Sequence, residues 1–392
     1  MKALSCMAAV ALAAAAFAQQ SEIAKFDPNM AQKNAVTTNG VKWIDGKYLP
    51  IEGRVFDDVE HYYDRLPANV TIKVNDGVRV MKHHTAGMQF RFRTDSRKLT
   101  FKWVPYNGGL SMDHMPSTGV SGIDVYAQDP ATGKWFYKKT GRIWNAAGGQ
   151  LQMDWKPGET CLVNLPLYNG VKSFALGVDP AAKVEAPGPR KSGVEKPVVF
   201  YGTSITHGGC ASRPGLAFPS IVGRDLDVPI VNLGFSGSGV MEFEMSEHLA
   251  RIDASCYVLD CLWNMGSTNG WSRAGRNVEE NYEPFIRNLR AKRPDVPIVM
   301  AEMCDVYCGG PNAKDKFTRA LYEKLKAEDP SWFARLFFGA EAKWDNLVYL
   351  PKDGMFADDR EGTVDGCHPN DLGMCAMAKA FGKAVREALK RK

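Results

Sequence analysis

The second half of the 392-residue chain alternates short, continuously apolar runs with longer amphipathic stretches. Strands that are buried on both faces of a parallel sheet are apolar throughout, and helices connect them. We therefore predict an α/β domain in this half, with a parallel sheet covered by helices on both faces. The predicted strands are residues 197–201, 228–233, 256–262, 296–301 and 347–350. The predicted helices are residues 216–226, 276–293, 312–328 and 371–390.

The first half of the chain has a different pattern, in which apolar and polar residues alternate. Residues 88–93 (MQFRFR) and 99–103 (LTFKW) have this period of two, and turn sequences such as 129–133 (DPATG) separate the short runs. Such a pattern is typical of antiparallel sheets with one buried face. We predict a jelly-roll-like β-sandwich over residues 35–180, a linker rich in Pro, Gly and Ala over 181–196, and the α/β domain over 197–392.

The N-terminus has the pattern of a cleaved signal peptide over residues 1–18. Lys2 provides a positive start, residues 7–17 form an alanine-rich apolar core, and Ala16-Phe17-Ala18 fits a cleavage site. We therefore expect an exported protein, secreted or periplasmic; a buried N-terminal helix is the alternative. No other apolar run is long enough for a membrane-spanning helix, so no membrane span is expected.

The charge distribution gives no indication of a nucleic-acid partner. The formal net charge is +5, which is small for this length. No dense cluster of Lys and Arg with interleaved aromatic residues is present. Nucleic-acid-binding surfaces have such clusters, so we expect no nucleic-acid partner.

Eight of the nine cysteines follow the predicted signal peptide, and in an oxidising compartment some could pair. Cys210 lies close after Ser204, and Cys367 directly precedes His368. A disulfide bridge between these two would connect their loops if the loops meet; buried, unpaired thiols are the alternative. The spacing of Cys304 and Cys308 does not fit a zinc site, so no metal is expected there.

Two short segments carry groups suited to nucleophilic catalysis. Residues 202–208 (GTSITHG) follow the first predicted strand, and residues 365–369 (DGCHP) precede the last predicted helix. A serine between a strand and a helix can expose its hydroxyl at the edge of a sheet. His368 could accept the proton of Ser204, and Asp365, three positions earlier, could orient the imidazole. Ser204 could also cap the helix, and the two roles are compatible.

An oxyanion formed in such a reaction needs hydrogen-bond donors at fixed positions. The backbone N–H of Ser204 is one candidate, the glycine-rich turn 232–239 offers a second, and the side chain of Asn264 a third. The alternatives are that the glycines only form a turn and that Asn264 only caps a loop. Each segment nevertheless follows a predicted strand, and the carboxyl ends of parallel strands share one edge of the sheet. Among the other histidines, we expect His207 to line the pocket and His83-His84 to be a surface pair.

These segments resemble the four sequence blocks of the SGNH (GDSL-type) hydrolase family, and the resemblance covers residues 197–390. Gly202-Thr203-Ser204-Ile205 matches the first block, and Asn232 to Gly237 the second. The third block is matched only by Asn264, and Asp365 to Pro369 matches the fourth fully. The resemblance implies a flavodoxin-like three-layer domain, with Gly237 and Asn264 in the oxyanion hole. Trp263 and Met265, which flank Asn264, differ from the family pattern and indicate a more apolar pocket.

Residues 122–126 (GIDVY) resemble the Gly-x-Asp-Leu-Tyr signature of a β-domain that precedes certain SGNH esterases. Similar two-domain proteins include carbohydrate esterases that remove acetyl groups from plant polysaccharides. The resemblance therefore implies an acetylesterase that acts on an acetylated carbohydrate or another ester, with an acyl-enzyme on Ser204. No metal or organic cofactor is expected. Arg213, Ser212 and Trp263 are candidates for contact with substrate.

Three other functions are compatible with the same residues. A lipase or general acyl esterase would use the same groups, and so would a serine peptidase or amidase. A non-catalytic carbohydrate-binding protein with a decayed hydrolase domain is a third alternative. The complete set of Ser204, Gly237, Asn264, Asp365 and His368 argues against decay.

Overall fold

The computed structural model describes residues 25–70, 74–304, 310–357 and 359–391. An antiparallel β-sandwich forms the first part of this chain, and an α/β unit with a parallel sheet forms the second. Both sheet types agree with the predicted fold class. The proposed signal peptide, Cys6 and Cys308 lie outside the described residues.

The sandwich consists of two antiparallel sheets. One has the strand order β1-β2-β10-β5-β8, and the other β11-β4-β9-β6-β7 with β3 paired to β4. Alternate residues such as Phe90, Phe92, Phe101 and Trp103 are buried between the sheets, which explains the period of two in the sequence. The strands are β1 (Val36–Thr38), β2 (Val41–Asp45), β3 (Ile51–Glu52), β4 (Gln89–Thr94), β5 (Lys98–Pro105), β6 (Ile123–Gln128), β7 (Trp135–Gly141), β8 (Gly149–Asp154), β9 (Thr160–Asn164), β10 (Val171–Val178) and β11 (Val184–Glu185). The helices are α1 (Pro28–Lys33), α2 (Asp76–Met81) and α3 (Ser117–Val120).

The second unit contains a five-stranded parallel sheet of order β13-β12-β14-β15-β16. This order is flavodoxin-like, because the second strand lies at the edge beside the first. Every residue of its first three strands is buried, as a sheet covered on both faces requires. The strands are β12 (Val198–Gly202), β13 (Ile230–Gly234), β14 (Cys256–Asp260), β15 (Ile298–Ala301) and β16 (Leu347–Leu350). The helices are α4 (Ser204–His207), α5 (Phe218–Leu226), α6 (Phe243–Ala250), α7 (Val278–Lys292), α8 (Ala313–Ala327), α9 (Trp332–Phe338) and α10 (Asp371–Lys390).

The five strands lie within two residues of their predicted positions, and the four predicted helices correspond to α5, α7, α8 and α10. Helices α6 and α9 were not predicted. They have 8 and 7 residues, so each spans about two turns, too few for a clear helical periodicity.

The segment between β3 and β4 belongs partly to the core of the second unit. Leu66, Val74 and Val78 lie in the same apolar cluster as Tyr201 of β12 and Leu233 of β13. The opposite face of the sheet is covered by α5 and α10. The first half of the chain contributes residues to the apolar clusters on both faces of the parallel sheet, where the sequence predicts only helices.

Across the described ranges, no helix is both long enough and apolar enough to cross a membrane.

Candidate active site

Ser204 is the first residue of α4 and directly follows β12 and Thr203. The N-cap of α4 is Thr203, whose hydroxyl accepts a hydrogen bond from the N–H of Ile205 at 3.2 Å. Ser204 therefore does not cap the helix, and its Oγ lies 2.9 Å from Nε2 of His368. The structure brings the two predicted segments together at the carboxyl end of β12.

Asp365 orients His368 through both of its carboxylate oxygens. Oδ2 lies 2.7 Å from Nδ1 of the imidazole, while Oδ1 accepts hydrogen bonds from the N–H groups of Cys367 at 2.9 Å and His368 at 2.7 Å. Partial burial raises the pKa of this carboxyl group, but the hydrogen bonds to His368 and Cys367 outweigh burial and lower the pKa to about 2. An ionised Asp365 keeps the proton of the neutral imidazole on Nδ1, which leaves Nε2 to accept the proton of Ser204.

Hydrogen bonds, and not a disulfide bridge, connect the loops that carry the nucleophile and the base. The N–H of Cys210 donates to the carbonyl of Pro369 at 2.9 Å, and Ser212 donates to Asp371 through its N–H at 2.8 Å and its hydroxyl at 2.6 Å. Cys210 is a free thiol, so the predicted bridge between Cys210 and Cys367 is not present. Burial raises the pKa of the Cys210 thiol to about 12. Ser212, predicted as a substrate contact, connects the two loops.

The turn after β13 approaches the end of β12 closely. The N–H of Phe235 donates to the carbonyl of Gly202 at 2.9 Å, and a Cβ atom at Gly239 would lie 2.0 Å from the same carbonyl oxygen. Only glycine permits this approach. The turn, with Gly237 at its exposed tip, therefore lies beside the segment that leads into Ser204.

Asn264 ends the short 3₁₀ turn Leu262–Asn264 that follows β14. In the amide orientation that suits its neighbours, its side-chain oxygen accepts hydrogen bonds from the N–H groups of Ser238 at 3.0 Å and Gly239 at 3.2 Å. This orientation leaves Nδ2 as a donor on the opposite side of the amide. The three predicted oxyanion donors, on Ser204, Gly237 and Asn264, thus follow three neighbouring strands of one sheet.

Two predicted substrate-binding residues have other partners in the structure. Arg213 donates to the fully buried carboxylate of Asp124 at 2.8 Å and to the hydroxyl of Tyr126, two residues of the GIDVY segment. The indole N–H of Trp263 donates to the carbonyl of Cys304 at 2.8 Å, and the side chain is half-buried. Contact of Arg213 or Trp263 with substrate stays a prediction.

Behind the nucleophile lies a group of side chains that the sequence did not indicate, in which His207 is fully buried and Tyr168 and His84 are half-buried. The hydroxyl of Tyr168 donates to the carbonyl of Ser204 at 3.0 Å, and its ring stacks on His207 with centroids 4.1 Å apart. His84 Nδ1 lies 3.3 Å from His207 Nε2. Burial lowers the pKa of His84 to about 3 and that of His207 well below the usual value, so both imidazoles are neutral. His207 is fully buried and His83 and His84 are half-buried, so the predictions of a pocket-lining His207 and of a surface pair at His83-His84 are wrong.

Arg65 extends this group toward the oxyanion turn. Its NH1 donates to the carbonyls of Asn232 at 3.0 Å and Gly234 at 2.8 Å, and its NH2 donates to Met81 at 2.8 Å. Burial lowers the pKa of Arg65 to about 9. The guanidinium therefore satisfies carbonyl groups at the end of β13 and supports the turn that carries Gly237.

Asp260, the last residue of β14, supports the nucleophile helix from the other side. Its carboxyl group accepts a hydrogen bond from the hydroxyl of Thr206 at 2.7 Å. Full burial raises the pKa of Asp260 to about 7, because the charged form has lost its hydration.

The β-sandwich unit also reaches the mouth of the site. The exposed His114, from the loop between β5 and α3, places its ring 6.0 Å from that of His368, centroid to centroid. No sequence pattern indicates this contact, because it depends on how the two halves of the chain pack together.

Known protein families match both parts of the chain. The sequence profile of the GDSL-like lipase/acylhydrolase family matches residues 195–386, and that of GxDLY, the N-terminus of SGNH-hydrolase-type esterases, matches residues 41–184. No curated protein sequence matches the chain.

Several solved structures share the fold over almost the whole chain. One described as a GDSL-like lipase, from Bacteroides ovatus, has 27% sequence identity and a TM-score of 0.70, with 89% of this chain and 98% of that chain covered. The salicylyl-acyltransferase SsfX3 of a tetracycline biosynthetic pathway has 17% identity and a TM-score of 0.67, with the same coverage. A family two carbohydrate esterase from Cellvibrio japonicus has 13% identity and a TM-score of 0.52, covering 90% of this chain and 98% of that chain.

The two profiles, the flavodoxin-like sheet and the Ser204–His368–Asp365 geometry together identify the chain as a member of the SGNH (GDSL-type) hydrolase family with an N-terminal GxDLY domain.

Proposed function

We propose that this protein is an exported serine esterase that removes acetyl groups from a carbohydrate through an acyl-enzyme on Ser204. The observation that carries the proposal is the hydrogen-bonded series Ser204 Oγ, His368 and Asp365, with distances of 2.9 and 2.7 Å. Membership of an esterase family agrees with ester hydrolysis as the reaction class.

In the proposed reaction, Ser204 Oγ attacks the ester carbonyl while Nε2 of His368 takes the hydroxyl proton. The negative charge that develops on the carbonyl oxygen is stabilised by the N–H groups of Ser204 and Gly237 and by the Asn264 amide. His368 then protonates the departing alcohol, which leaves an acyl-serine. Water, deprotonated by His368, attacks this ester, and release of the carboxylic acid restores Ser204.

A carbohydrate ester as substrate is supported by the kind of proteins that share this two-part architecture. The neighbour from Cellvibrio japonicus is a carbohydrate esterase, and it aligns over 90% of this chain. His114, at the mouth of the site, is exposed and can donate or accept hydrogen bonds, as recognition of sugar hydroxyls requires. Acetyl is proposed as the acyl group because the resemblance of the sequence to two-domain SGNH esterases implies an acetylesterase.

Export is proposed from the N-terminal sequence alone. Lys2, the apolar residues 7–17 and Ala16-Phe17-Ala18 have the order of a signal peptide. N-terminal sequencing of the protein recovered from the periplasm or medium would support the proposal if the mature chain begins after Ala18. Recovery of the full-length chain from the cytoplasm only would contradict it.

The esterase activity can be tested with chromogenic esters and then with glycans. We expect the wild type to hydrolyse p-nitrophenyl acetate faster than long-chain esters, and to release acetate from at least one of acetylated xylan, xyloglucan, mannan and pectin fragments. A preference for long-chain esters would favour a lipase, and cleavage of a peptide amide would favour a peptidase. No turnover of any ester would favour a non-catalytic protein.

A further inference from the structure

A compact cluster of metal-ligating side chains flanks α2 in the first half of the chain. Glu60, His61, Asp64 and His83 each offer one ligand atom, and all four atoms lie within 4.8 Å of one another. We infer that these residues form a binding site for a divalent transition metal of the zinc class, outside the catalytic centre. The sequence did not indicate it, because the four residues come from two separate segments.

Asp64 is the centre of the cluster and contacts both imidazoles. Its Oδ1 lies 2.8 Å from Nδ1 of His83, and its Oδ2 lies 3.6 Å from Nδ1 of His61. The carboxylate is only 1% exposed and also accepts a hydrogen bond from the backbone N–H of His61 at 3.0 Å, but within the described ranges no lysine or arginine forms an ion pair with it. A buried carboxylate without a cationic partner is unfavourable. A divalent cation would supply the missing charge while both imidazoles stay neutral, the form in which histidine binds metals.

The rings of both histidines are held in place by Tyr106. His83 stacks on Tyr106 with centroids 4.8 Å apart, and His61 meets the same ring edge-on at 5.3 Å. Ligands of tetrahedral zinc lie about 2.1 Å from the metal, and therefore about 3.4 Å from each other. The atoms at the widest separation would have to approach by about 1.4 Å. The exposed side chains of Glu60 and His61 can make this movement.

The donor set selects the kind of metal. Two imidazole nitrogens and a carboxylate are the three protein ligands of many zinc sites, whereas calcium and magnesium prefer oxygen ligands throughout. Glu60 is the fourth candidate and now accepts a hydrogen bond from Lys82 at 2.9 Å. Either Glu60 leaves Lys82 to bind the metal, or a water molecule takes the fourth position.

The residues that directly follow Asp64 and His83 connect the metal site to the side chains that support Ser204. Arg65 follows Asp64 and binds the carbonyls at the end of β13, and His84 follows His83 and contacts His207 of α4. A metal bound to Asp64 and His83 would therefore fix the two segments that carry Arg65 and His84. Its expected effect is on stability, and it would not take part in the ester chemistry.

The test measures zinc binding to the purified full-length protein after removal of metals with a chelator. Isothermal titration with zinc chloride gives stoichiometry and affinity, and thermal unfolding gives the shift in melting temperature. Cobalt(II) is a second probe, because a tetrahedral site produces visible d–d absorption. The variants are His61→Ala and His83→Ala. His368→Ala is the matched control, because His368 is the other histidine that contacts a carboxylate through Nδ1.

We expect one equivalent of zinc in the wild type and in His368→Ala, with a higher melting temperature on zinc addition. The side chain of His61 is 47% exposed, so its removal should not impair folding. In His61→Ala the affinity for zinc should fall at least about tenfold, since even indirect partners of metal ligands contribute that much. Absence of stoichiometric binding would overturn the inference. Unchanged affinity in both His61→Ala and His83→Ala, or binding lost only in His368→Ala, would also overturn it.

Discussion

The guanidinium of Arg213 lies 2.8 Å from the carboxylate of Asp124, and this ion pair joins the two halves of the molecule. Asp124 is fully buried at the start of β6 and also accepts hydrogen bonds from the N–H of Gly215 at 2.9 Å and from Asn164 at 2.7 Å. Arg213 follows the loop that carries Cys210 and Ser212. The GIDVY segment therefore binds the loop that follows the nucleophile helix. Its aspartate and tyrosine have a structural role in this contact.

Replacement of Asp124 should destabilise the protein strongly. Asp124→Asn leaves Arg213 with an uncompensated charge, and breaking a buried pair in this way costs about 3–5 kcal/mol. Urea unfolding measures the change in the free energy of unfolding. The matched control is Asp253→Asn, which removes the more exposed pair with Lys196 and should cost less than about 1 kcal/mol. Equal effects of the two substitutions would show that the contact between the halves is not energetically important.

Asp260 should make stability depend on pH near neutrality. Its pKa of about 7 in the folded protein exceeds the unfolded value of 3.8. Between these two pH values the carboxyl group is therefore protonated in the folded state and ionised in the unfolded state. The stabilisation is fully present below the unfolded pKa and is lost as the pH rises through about 7. The free energy of unfolding of Asp260→Asn should therefore depend less on pH than that of the wild type. Above neutrality, the variant should be more stable relative to the wild type than it is at low pH.

The measurement is urea unfolding of both proteins at about pH 5 and about pH 8. The difference in unfolding free energy between the two pH values should be smaller in Asp260→Asn, because one proton bound only by the folded state contributes up to about 1.4 kcal/mol per pH unit. An identical pH dependence in both proteins would mean that Asp260 is ionised throughout.

Arg65 should act as a positioning residue for the oxyanion turn. Lysine cannot reproduce the planar fork that binds the carbonyls of Asn232, Gly234 and Met81 together. In Arg65→Lys we expect kcat to fall by about ten- to a hundredfold, because a small displacement of catalytic groups has effects of this size, while KM changes little. Arg251→Lys, at an exposed arginine paired with Asp58, is the control and should keep the wild-type kcat. A change in KM alone would argue for a direct contact with substrate.

The cysteines near the site should not respond to reducing agents. Cys210 is a free thiol and therefore forms no disulfide with Cys367, and hydrogen bonds connect the two loops. Dithiothreitol should therefore leave the melting temperature and the esterase activity unchanged. A lower melting temperature under reducing conditions, together with a Cys210–Cys367 peptide in a non-reducing map, would contradict the structure.

The features that could be predicted from sequence are those set by local patterns. The strands β12 to β16 are continuously apolar, and Ser204, Asn264 and the turn with Gly237 directly follow three of them, so their convergence at one sheet edge follows from the rules for parallel sheets. Asp365 and His368 were predictable because the aspartate lies three residues before the histidine in the sequence.

The features that could not be predicted from the sequence depend on contacts between distant segments. Arg65 and His84 lie between β3 and β4, and Tyr168 lies between β9 and β10. They reach the end of β13, His207 and Ser204 only because these two segments pack against the second unit. No local pattern marks an arginine that will be buried against backbone carbonyls. The ion pair of Arg213 could not be predicted either, because its partner Asp124 lies 89 residues away in the sequence. Without that partner, Arg213 is predicted as a substrate contact.

The acyl-enzyme is the central claim, and its direct test is intact-protein mass spectrometry after rapid quenching of a reaction with p-nitrophenyl acetate, followed by peptide mapping. We predict a single added acetyl group on Ser204 in the wild type, and none in Ser204→Ala, whose turnover should fall by about 10⁴-fold or more with unchanged circular dichroism. Acetylation at another residue, or wild-type turnover by Ser204→Ala, would contradict the account.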